Sequence, residues 1–427
     1  ILQEWETRQI DFVLAYLQAD VECDLYMEIP PGFSVKGAKK KYCLKLKKNI
    51  YGTKQAGMVW NKHLHKGLIK LGYVASKIDP CVYYKGRTVF MLYVDDGIFA
   101  GPDKDKINDL LTGLKAEFNI TDEGDLTEYL GVLVEKQGDG RTKLSQPHLI
   151  QQILDDLWFN DRTKSKPAPA PGGQVLQRET DKDEMADDFH YRSVVGKGNF
   201  LEKSTRPDIA VAMHQSARFS SDPKQGHADA LRYIGKYLSG TTAEGIYLDP
   251  QHDKSFECWV DADFLGQYVK GAPDMHLDAM TAKSRTGFMI TYAGCPITWG
   301  STLQRESALS TTESEYMAIS ESFRSLLPMM DLLEEAREKG VPVKSGPPVV
   351  HCKAFEDNSG ALELARLPKM RPRTKHINVK YHHFREAVAK GRVTIQHVAS
   401  KDQLGDALTK NLARDLFLSL RKRYAGW

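Results

Sequence analysis

The sequence predicts a multidomain protein of the α+β or α/β class, and three observations lead to this prediction. At roughly 150 residues per domain, the 427 residues correspond to about three domains. Apolar residues alternate at period two in several short segments and recur at helical spacing in others, so strands and helices are mixed along the chain. Hydrophobic residues make up 41% and charged residues 27%, which is typical of folded proteins and excludes wholesale disorder.

Charge and cysteine usage narrow the functional classes. Lys plus Arg (59) barely exceed Asp plus Glu (56), so local patches must supply any affinity for nucleic acid. The six cysteines form no CxxC pair, which argues against a zinc ribbon or a dense disulfide framework and favours a reducing compartment. We expect neither a membrane span nor a signal peptide. The chain begins at Ile1 rather than Met, so we expect a fragment or a processed piece.

The N-terminal part is predicted to be rich in strands. Trp60, Leu64 and Leu68 recur at helical spacing, and Gly72 fits the end of that helix. The Asp-Gly pair that begins at Asp96 separates two apolar runs and indicates a hairpin. The elements expected here are a strand at 42–47, a helix over 54–72, strands at 81–85, 88–94 and 98–100, a helix over 107–118, a hairpin turning at Asp139-Gly140 and a helix over 147–157.

The second part of the chain is predicted to begin with a linker or an exposed loop. Residues 164–188 are rich in Pro, Gly and charged residues, and a mostly helical block at 191–239 follows them. The elements expected after that block are strands at 256–260, 287–292 and 296–299, a long helix over 311–339, a strand at 349–355, helices after Asn358 and over 379–390, a strand at 392–398 and closing helices.

A first group of carboxylates is predicted near the Asp-Gly hairpin. Asp95 and Asp96 lie together on that turn, and Asp11 ends another predicted strand. Three acidic groups on adjacent strand ends can hold two Mg²⁺ ions about 4 Å apart. The simpler alternative is that Asp-Asp-Gly only serves the geometry of the turn. These three residues alone favour that alternative.

Four flanking segments change this balance. They resemble, in order and spacing, the reverse transcriptase of copia-type LTR retrotransposons, and they run from Gln9 to Phe33, from Leu46 to Asn61, from Phe90 to Gly101 and from Leu126 to Glu135. The family usually has Pro where Gly57 stands, which loosens the expected helix start. The family also carries a finger segment before the Asp11 strand, whereas ten residues precede Asp11 here. We therefore expect an incomplete polymerase module with feeble extension activity.

The resemblance implies roles for individual residues. Asp11, Asp95 and Asp96 are implied to be the metal ligands of the polymerase. The residues implied to contact the substrate are Tyr16, Gln55, Tyr93 and Val94. Tyr16 matches the aromatic gate that excludes a ribose 2′-hydroxyl by steric clash. The alternatives are that Tyr16 is a half-buried aromatic residue and that Gln55 is a polar residue at the start of a helix.

A second group of acids lies in the C-terminal part. Asp261 and Asp357 each end a predicted strand, Glu313 and Glu315 lie at the front of the long helix, and Asp406 lies within SKDQLGDALTK. Four acids on separate elements form a second candidate two-metal site. The alternative is that they are helix caps and solvated groups, with Asp357 capping the helix after it.

Helical phase distinguishes between the two glutamates. Glu315 shares a face with Ala318 and Ile319, whereas the face of Glu313 is more polar, so we choose Glu315 and expect Glu313 to be solvated. Asp261 and Asp263 face the same side of a strand, so periodicity does not separate them.

The C-terminal segments resemble the ribonuclease H domain of the same family. The matching segments are CWVDADFLG, KSRTGF, ITWGSTLQRESALSTTESEYMAIS, FEDNSGAL, RTKHINVKYHHFRE and QLGDALTK. This resemblance selects Asp261, Glu315, Asp357 and Asp406 as metal ligands. His397 lies upstream of the last acid and is expected to be a strand residue. Residues 191–213 resemble the connecting region of the family.

Two basic runs, at 36–48 and 366–380, are candidate contacts for phosphates, and solvated loops are an equal alternative. His376, His382 and His383 suggest a metal site. By the resemblance, however, the His376 segment lies on the substrate side of the ribonuclease H domain. Contact with nucleic acid or a structural role is therefore favoured for these histidines.

We therefore interpret the chain as the reverse transcriptase and ribonuclease H portion of a copia-type Pol polyprotein. The implied domains are a reverse transcriptase at 1–170, with partial fingers, an antiparallel palm and a thumb, a linker and helical connection at 171–250, and a ribonuclease H-like mixed sheet flanked by helices at 251–427. The implied cofactors are two Mg²⁺ or Mn²⁺ ions per site. The implied partners are an RNA template, a DNA primer, an RNA–DNA hybrid and deoxynucleoside triphosphates, with Gag and other Pol products left open.

Other interpretations remain open at this level. The main alternative is a decayed or co-opted remnant that binds nucleic acid or a partner without polymerising. The acidic residues are all retained, which argues against complete decay. A non-LTR or intron-type polymerase is disfavoured by the attached ribonuclease H segments. The implied location is a cytoplasmic virus-like particle, with passage into the nucleus and the oligomeric state left open.

Overall fold

The computed structural model describes residues 1, 3–33, 42–160, 162–178, 189–266, 268, 279–343, 350–366 and 379–427. The chain forms two compact units. The first unit consists of residues 1–126 and 332–342, and the second consists of residues 127–331 and 343–427. The described residues contain 17 strands and 11 α-helices, so the expected mixture of helix and sheet is confirmed.

An antiparallel sheet of six strands forms the centre of the first unit. The strands of this unit are β1 (Glu6–Phe12), β2 (Tyr26–Met27), β3 (Leu44–Lys45), β4 (Val74–Ala75), β5 (Val82–Lys85), β6 (Thr88–Tyr93), β7 (Asp96–Gly101) and β8 (Ile120–Gly124), and its helices are α1 (Ala15–Gln18), α2 (Ala56–Lys70) and α3 (Lys104–Glu117). Six strands pair in the order β4-β5-β6-β7-β1-β8, while β2 and β3 pair separately. Because β1 lies beside β7, the end of β1 meets the turn between β6 and β7.

Aromatic packing joins the helices of the first unit to its sheet. The ring of Phe12 lies edge-on to the rings of Trp60 and Phe118, at centroid distances of 5.3 and 5.6 Å. The apolar stripes of α2 and α3 supply most of the remaining core, as their helical spacing predicts. This core backs the strand ends that carry the acidic residues.

The second unit begins with a four-stranded sheet and a group of helices. The elements are β9 (Glu128–Tyr129), β10 (Val132–Lys136), β11 (Thr142–Ser145), α4 (Pro147–Asp156), α5 (Tyr191–Ser204), α6 (Ala210–Ala217), α7 (Gln225–Ser239) and β12 (Gly245–Leu248). The strands pair in the order β12-β11-β10-β9. The hairpin expected at Asp139-Gly140 joins β10 to β11, and Gly140 has a φ of 88°, which glycine adopts without strain.

A five-stranded mixed sheet and further helices complete the second unit. The elements of this region are β13 (Phe256–Asp263), β14 (Arg285–Tyr292), β15 (Cys295–Leu303), α8 (Thr311–Glu338), β16 (Cys352–Glu356), α9 (Ser359–Arg366), α10 (Arg385–Ala389), β17 (Val393–His397) and α11 (Arg414–Ala425). The last residues of α8, from 332 onward, are assigned to the first unit. The strand order is β15-β14-β13-β16-β17. Strands β13, β14 and β15 are antiparallel, whereas β16 and β17 run parallel to β13.

A buried ion pair ties the helices of the second unit together. Arg206 and Asp208 are almost fully buried, and Nη2 of Arg206 lies 2.7 Å from Oδ2 of Asp208. The hydroxyl of Tyr237 on α7 donates to the same oxygen at 2.6 Å, and Arg421 on α11 donates to that hydroxyl. Because each partner is hydrogen-bonded, this network avoids the penalty of an isolated buried charge.

The tight turn between β6 and β7 differs from the expectation. Tyr93 pairs with Asp96, so the turn residues are Val94 and Asp95 rather than the Asp96-Gly97 pair. Val94 has a φ of 58°, which is unusual for a β-branched residue. Gly97 serves packing instead, since an added Cβ would lie 2.7 Å from the Phe90 ring.

Two further expectations were wrong in extent. The strand expected at 42–47 is only Leu44–Lys45, because β3 pairs with the two-residue strand β2 alone. The helix expected over 379–390 divides into a 3₁₀ turn at Val379–His382 and the short α10. Phe384 lies at the division and is fully buried. Residues 164–178 of the expected linker contain no helix or strand, and residues 179–188 lie outside the described residues.

Candidate metal-binding active sites

Three carboxylates of the first unit lie together and form what we call the first acidic site (Asp11, Asp95 and Asp96). Asp11 is the register partner of Asp96 across β1 and β7. The N–H of Phe12 donates to the carbonyl oxygen of Asp95 at 2.7 Å, which fixes the turn against the end of β1. The expected proximity of these acids is therefore present in the structure.

The electrostatics of the first acidic site reflect crowded like charges. Burial and the neighbouring Asp95 carboxylate raise the pKa of Asp11 above its ordinary value. Burial, Asp95 and Asp11 raise the pKa of Asp96 in the same way. Carboxylates that destabilise one another in this manner suit a divalent cation, because its charge relieves their repulsion.

Aromatic side chains line the first acidic site. Tyr16 lies against Tyr51 with ring centroids 4.5 Å apart. The hydroxyl of Tyr51 lies 3.4 Å from Oδ2 of Asp95. Nε1 of Trp60 donates to the carbonyl oxygen of Val94 at 2.8 Å and so supports the turn. Sequence reasoning did not identify Tyr51 or Trp60 as part of this site.

The other residues implied to contact a substrate lie around the same turn. Tyr93 and Val94 are exposed at its tip. Gln55 immediately precedes α2, and its buried Nε2 has no hydrogen-bond partner. A Cβ added to Gly57 would lie 3.6 Å from the Tyr16 hydroxyl, so the start of α2 passes close to that ring. Gln55 therefore offers an unsatisfied donor on the helix beside the Tyr16 ring.

Three carboxylates of the second unit form what we call the acidic triad (Asp261, Glu315 and Asp357). Each offers one oxygen, and these oxygens lie within 4.8 Å of one another. Trp259 on β13 pairs with Phe355 on β16, and Asp261 and Asp357 each lie two residues beyond that pair. The register of two adjacent parallel strands thus places both aspartates at one end of the sheet, and Glu315 reaches them from the start of α8.

Two of the three triad residues are buried, and one buried oxygen lacks a hydrogen-bond partner. Asp261 is 2% exposed and Glu315 is 6% exposed. Burial raises the pKa of Asp261 to about 6. Burial, with the neighbouring carboxylates of Glu356 and Asp261, raises the pKa of Glu315 to about 11. Oε2 of Glu315 is buried without a hydrogen-bond partner. An unsatisfied oxygen among converging carboxylates fits a hard divalent cation such as Mg²⁺ or Mn²⁺.

Asp406 lies beside Asp261 of the triad, and Lys410 contacts both. Asp406 lies in a 3₁₀ turn at Leu404–Leu408, and Nζ of Lys410 lies 2.8 Å from its Oδ1. The same Nζ lies 3.4 Å from Oδ2 of Asp261. Thr409 also donates its hydroxyl to that aspartate. Asp406 is therefore adjacent to the site without being one of the three converging ligands.

Lys410, Thr409 and Ser400 were not anticipated from the sequence. Ser400 donates its hydroxyl to Oδ2 of Asp357 at 2.8 Å. The four-residue spacing between Asp406 and Lys410 is a signal that could have indicated their ion pair. No sequence signal that we identified would have placed Ser400 beside Asp357, because 43 residues separate them.

The structure corrects or resolves several expectations for this region. Glu313 was expected to be solvated, which was wrong: it is 9% exposed and its Oε2 accepts from the N–H of Leu309 at 2.8 Å, so it closes the loop before α8. The helix-cap alternative for Asp357 does not hold, since Asn358 accepts from the N–H of Ala361. Asp263 faces Arg285 across the sheet and lies outside the triad. His397 is a strand residue, as expected.

The expected basic contacts are only partly within the described residues. Lys45 and Lys48 form ion pairs with Asp24 and Asp20, while residues 34–41 lie outside the described residues. Residues 367–378, including most of the second basic run and His376, also lie outside them.

The two remaining histidines of that region contact helix α8. His382 pairs with the Tyr316 hydroxyl at 2.6 Å, and His383 lies 3.4 Å from Oγ of Ser320. These contacts favour a structural role for both histidines over a metal site.

Two further observations concern the cysteines and the helices. All six cysteines are free thiols. Among the helices that the structure describes, we find none with the length and apolar character that crossing a membrane requires.

Comparisons with known proteins show which sequences this chain is similar to. A family model described as reverse transcriptase (RNA-dependent DNA polymerase) matches residues 1–170. The chain is 32% identical over 426 residues to the Retrovirus-related Pol polyprotein from transposon RE1 of Arabidopsis thaliana, covering 97% of this chain and 27% of that protein. It is 33% identical over 426 residues to the corresponding polyprotein from transposon TNT 1-94 of Nicotiana tabacum, covering 96% of this chain and 30% of that protein.

A third relative extends the same pattern. The Retrovirus-related Pol polyprotein from transposon RE2 of Arabidopsis thaliana is 31% identical over 431 residues, covering 99% of this chain and 28% of that protein. The chain thus spans less than a third of the length of these curated relatives. The reverse transcriptase family model thus matches residues 1–170, and nearly the whole chain is similar to part of the Pol polyproteins of copia-type retrotransposons.

Proposed function

We propose that this chain is an RNA-directed DNA polymerase joined to a ribonuclease that cuts the RNA strand of an RNA–DNA hybrid. The observation that carries the proposal is that acidic residues far apart in sequence become neighbours at two separate places. The backbone brings them together in the first acidic site, and the carboxylate oxygens themselves converge in the acidic triad. At each place, bound Mg²⁺ or Mn²⁺, two ions per site, would activate the attacking oxygen and stabilise the leaving one.

The first acidic site is the proposed polymerase centre. Asp11, Asp95 and Asp96 would hold the metal ions that activate the primer hydroxyl. Tyr16 would lie under the sugar, where its ring excludes a ribose 2′-hydroxyl, and Tyr51 packs against that ring. The unsatisfied Nε2 of Gln55 would donate to the incoming nucleotide, which removes the penalty of its burial. Tyr93 and Val94 would contact the primer from the exposed tip of the turn.

The acidic triad is the proposed nuclease centre. Asp261, Glu315 and Asp357 would be the ligands that bind first, because their oxygens already converge. Asp406 would complete the ligand set after a small movement of its carboxylate away from Lys410. Ser400 orients one oxygen of Asp357 and leaves the other free for the site.

The proposal assigns the chain to three functional regions. Residues 1–170 would form the reverse transcriptase with its palm and thumb, residues 171–250 the linker and connection, and residues 251–427 the ribonuclease H-like domain. The mixed order of the five-stranded sheet, with β13 between an antiparallel and a parallel neighbour, supports the last of these assignments. The partners would be template RNA, a DNA primer, their hybrid and deoxynucleoside triphosphates, in a cytoplasmic particle.

Paired substitutions test the two activities separately. Asp96→Asn should lower primer extension by roughly a hundredfold or more while hybrid cleavage persists, as expected when a group that stabilises the transition state is lost. Asp357→Asn should do the reverse. Asp109→Asn on α3 and Asp415→Asn on α11 alter exposed carboxylates outside both sites and serve as matched controls. Chelation of divalent ions should abolish both activities.

The same assays evaluate the alternative of a remnant that only binds nucleic acid. Such a protein would bind an RNA–DNA hybrid but neither extend a primer nor cut RNA in Mg²⁺ or Mn²⁺. Hybrid cleavage that is unchanged by Asp357→Asn would contradict the nuclease assignment. Extension that is unchanged by Asp96→Asn would contradict the polymerase assignment in the same way.

A further inference from the structure

Lys410 occupies an unusual position between two carboxylates of the proposed nuclease centre. Its ammonium nitrogen lies 2.8 Å from Oδ1 of Asp406 and 3.4 Å from Oδ2 of Asp261. Asp261 belongs to the acidic triad, and the carboxyl group of Asp406 lies beside that of Asp261. The lysine therefore contacts two of the acids that a divalent ion would also need.

The neighbouring carboxylates stabilise the charged form of Lys410. Burial opposes the charged form, but the carboxylates of Asp261 and Asp406 outweigh that effect and raise the pKa of Lys410. After burial, Lys410 is also the strongest influence on the pKa of Asp261 and of Asp263, which it lowers. The ammonium of Lys410 thus places a positive charge in contact with the carboxylates of both Asp261 and Asp406.

We propose that Lys410 is a built-in counter-cation that competes with divalent metal ions for Asp261 and Asp406. This inference rests on the proposed nuclease function and adds to it a residue that sets metal affinity. Without a metal, Lys410 keeps two buried carboxylates at close range. When a divalent ion binds, the ammonium releases Asp261 and turns outward on its flexible stem, which is half-exposed.

Competition of this kind predicts the direction in which the affinity for metal changes when the ammonium is removed. Removing the ammonium leaves the carboxylates uncompensated in the metal-free protein, so that state loses stability. The metal-bound state loses less, because the divalent charge replaces the missing compensation. The affinity for metal should therefore rise, by about tenfold if the ammonium weakens the interaction by roughly 1.4 kcal/mol, which is a modest charge–charge term near a protein surface.

The experiment compares metal binding and thermal unfolding of full-length variants. All proteins carry Asp95→Asn, so that the heat of binding reports the acidic triad rather than the first acidic site. In this background, Lys410→Met removes the charge and keeps the length of the side chain, while Lys410→Arg keeps the charge. Lys401→Met removes an exposed lysine elsewhere in the second unit and is the matched control. Asp357→Asn defines the signal that belongs to the triad.

We expect Lys410→Met to bind Mg²⁺ and Mn²⁺ about tenfold more tightly in isothermal titration calorimetry. Its melting temperature should be lower than that of the parent in EDTA, and the gap should narrow on addition of Mg²⁺. Lys410→Arg and Lys401→Met should bind metal as the parent does. Lys410→Gln provides a second neutral variant if Lys410→Met fails to fold.

Several outcomes separate this inference from the function on which it rests. Parent-like metal affinity in both neutral variants, with binding abolished by Asp357→Asn and hybrid cleavage present, overturns the role of Lys410 and leaves the nuclease intact. An equal loss of melting temperature in EDTA and in Mg²⁺ would mean that Lys410 is only structural. If the parent neither binds metal at the triad nor cuts hybrid, the proposed nuclease fails, and the inference fails with it.

Discussion

Replacing Gly97 by alanine should destabilise the first unit through a single methyl group. An added Cβ would lie 2.7 Å from the Phe90 ring and 2.9 Å from Cγ1 of Ile10. Ordinary carbon–carbon contacts lie at roughly 3.5–4.0 Å, so two fully buried side chains would each have to move by about 1 Å. Forcing an extra carbon into such a core costs about 1–3 kcal/mol.

The same substitution should impair the proposed polymerase centre. Gly97 follows Asp96 and pairs with Ile10, which precedes Asp11, so separating these strands displaces two of the three carboxylates. We expect primer extension to fall together with stability in chemical denaturation. Hybrid cleavage should persist, because the acidic triad belongs to the second unit.

A matched glycine gives the opposite expectation. Gly113 lies within α3, and its added Cβ would meet its nearest neighbour, Leu71, at an ordinary distance of 3.9 Å. Gly113→Ala should therefore stabilise the protein by about 0.5–1 kcal/mol, because alanine is the better helix residue. If Gly97→Ala were as stable as Gly113→Ala and extended primers normally, the packing argument would be refuted.

Three further substitutions have expected outcomes. Trp60→Phe should keep most of the core but lose the hydrogen bond to the Val94 carbonyl. The free energy of unfolding in chemical denaturation should fall by about 1 kcal/mol, and primer extension should fall because the turn is held less firmly. Asp208→Asn should lower the free energy of unfolding of the second unit by about 3–5 kcal/mol, because Arg206 is left as a buried charge with a neutral partner. Scanning calorimetry of the whole protein measures this loss. Gly287→Ala should lower hybrid cleavage but not primer extension, because the new Cβ would lie 2.8 Å from the backbone of the segment that carries the last acid.

Much of the fold could be predicted from local patterns in the sequence. The helices α2, α3, α4 and α8 lie within a few residues of their expected bounds, because each carries a continuous apolar stripe. The hairpin at Asp139-Gly140 was confirmed because its glycine is required by the turn itself. The Asp96-Gly97 pair gave the wrong turn residues, because that glycine is required by packing with residues distant in sequence.

The candidate sites were predicted less completely, for a related reason. Helical phase correctly favoured Glu315, but it predicted solvent around Glu313, which instead accepts a backbone N–H from the loop before α8. Periodicity could not separate Asp261 from Asp263, whereas the register with β16 does so. Contacts such as that of Ser400 with Asp357 depend on the folded path of the chain and leave no local signal.

The acidic triad illustrates how strand register can hold an arrangement that its own charges oppose. Asp261 and Asp357 repel each other and Glu315, so the triad cannot supply the energy that assembles it. That energy must come from the sheet behind it, where Trp259 stacks on Phe355 at a centroid distance of 4.0 Å. A slip of one residue between β13 and β16 would turn one aspartate to the opposite face and separate this ring pair as well. The apolar pair and the acidic pair are thus set by the same register, which ties the geometry of the proposed metal site to the stability of the sheet.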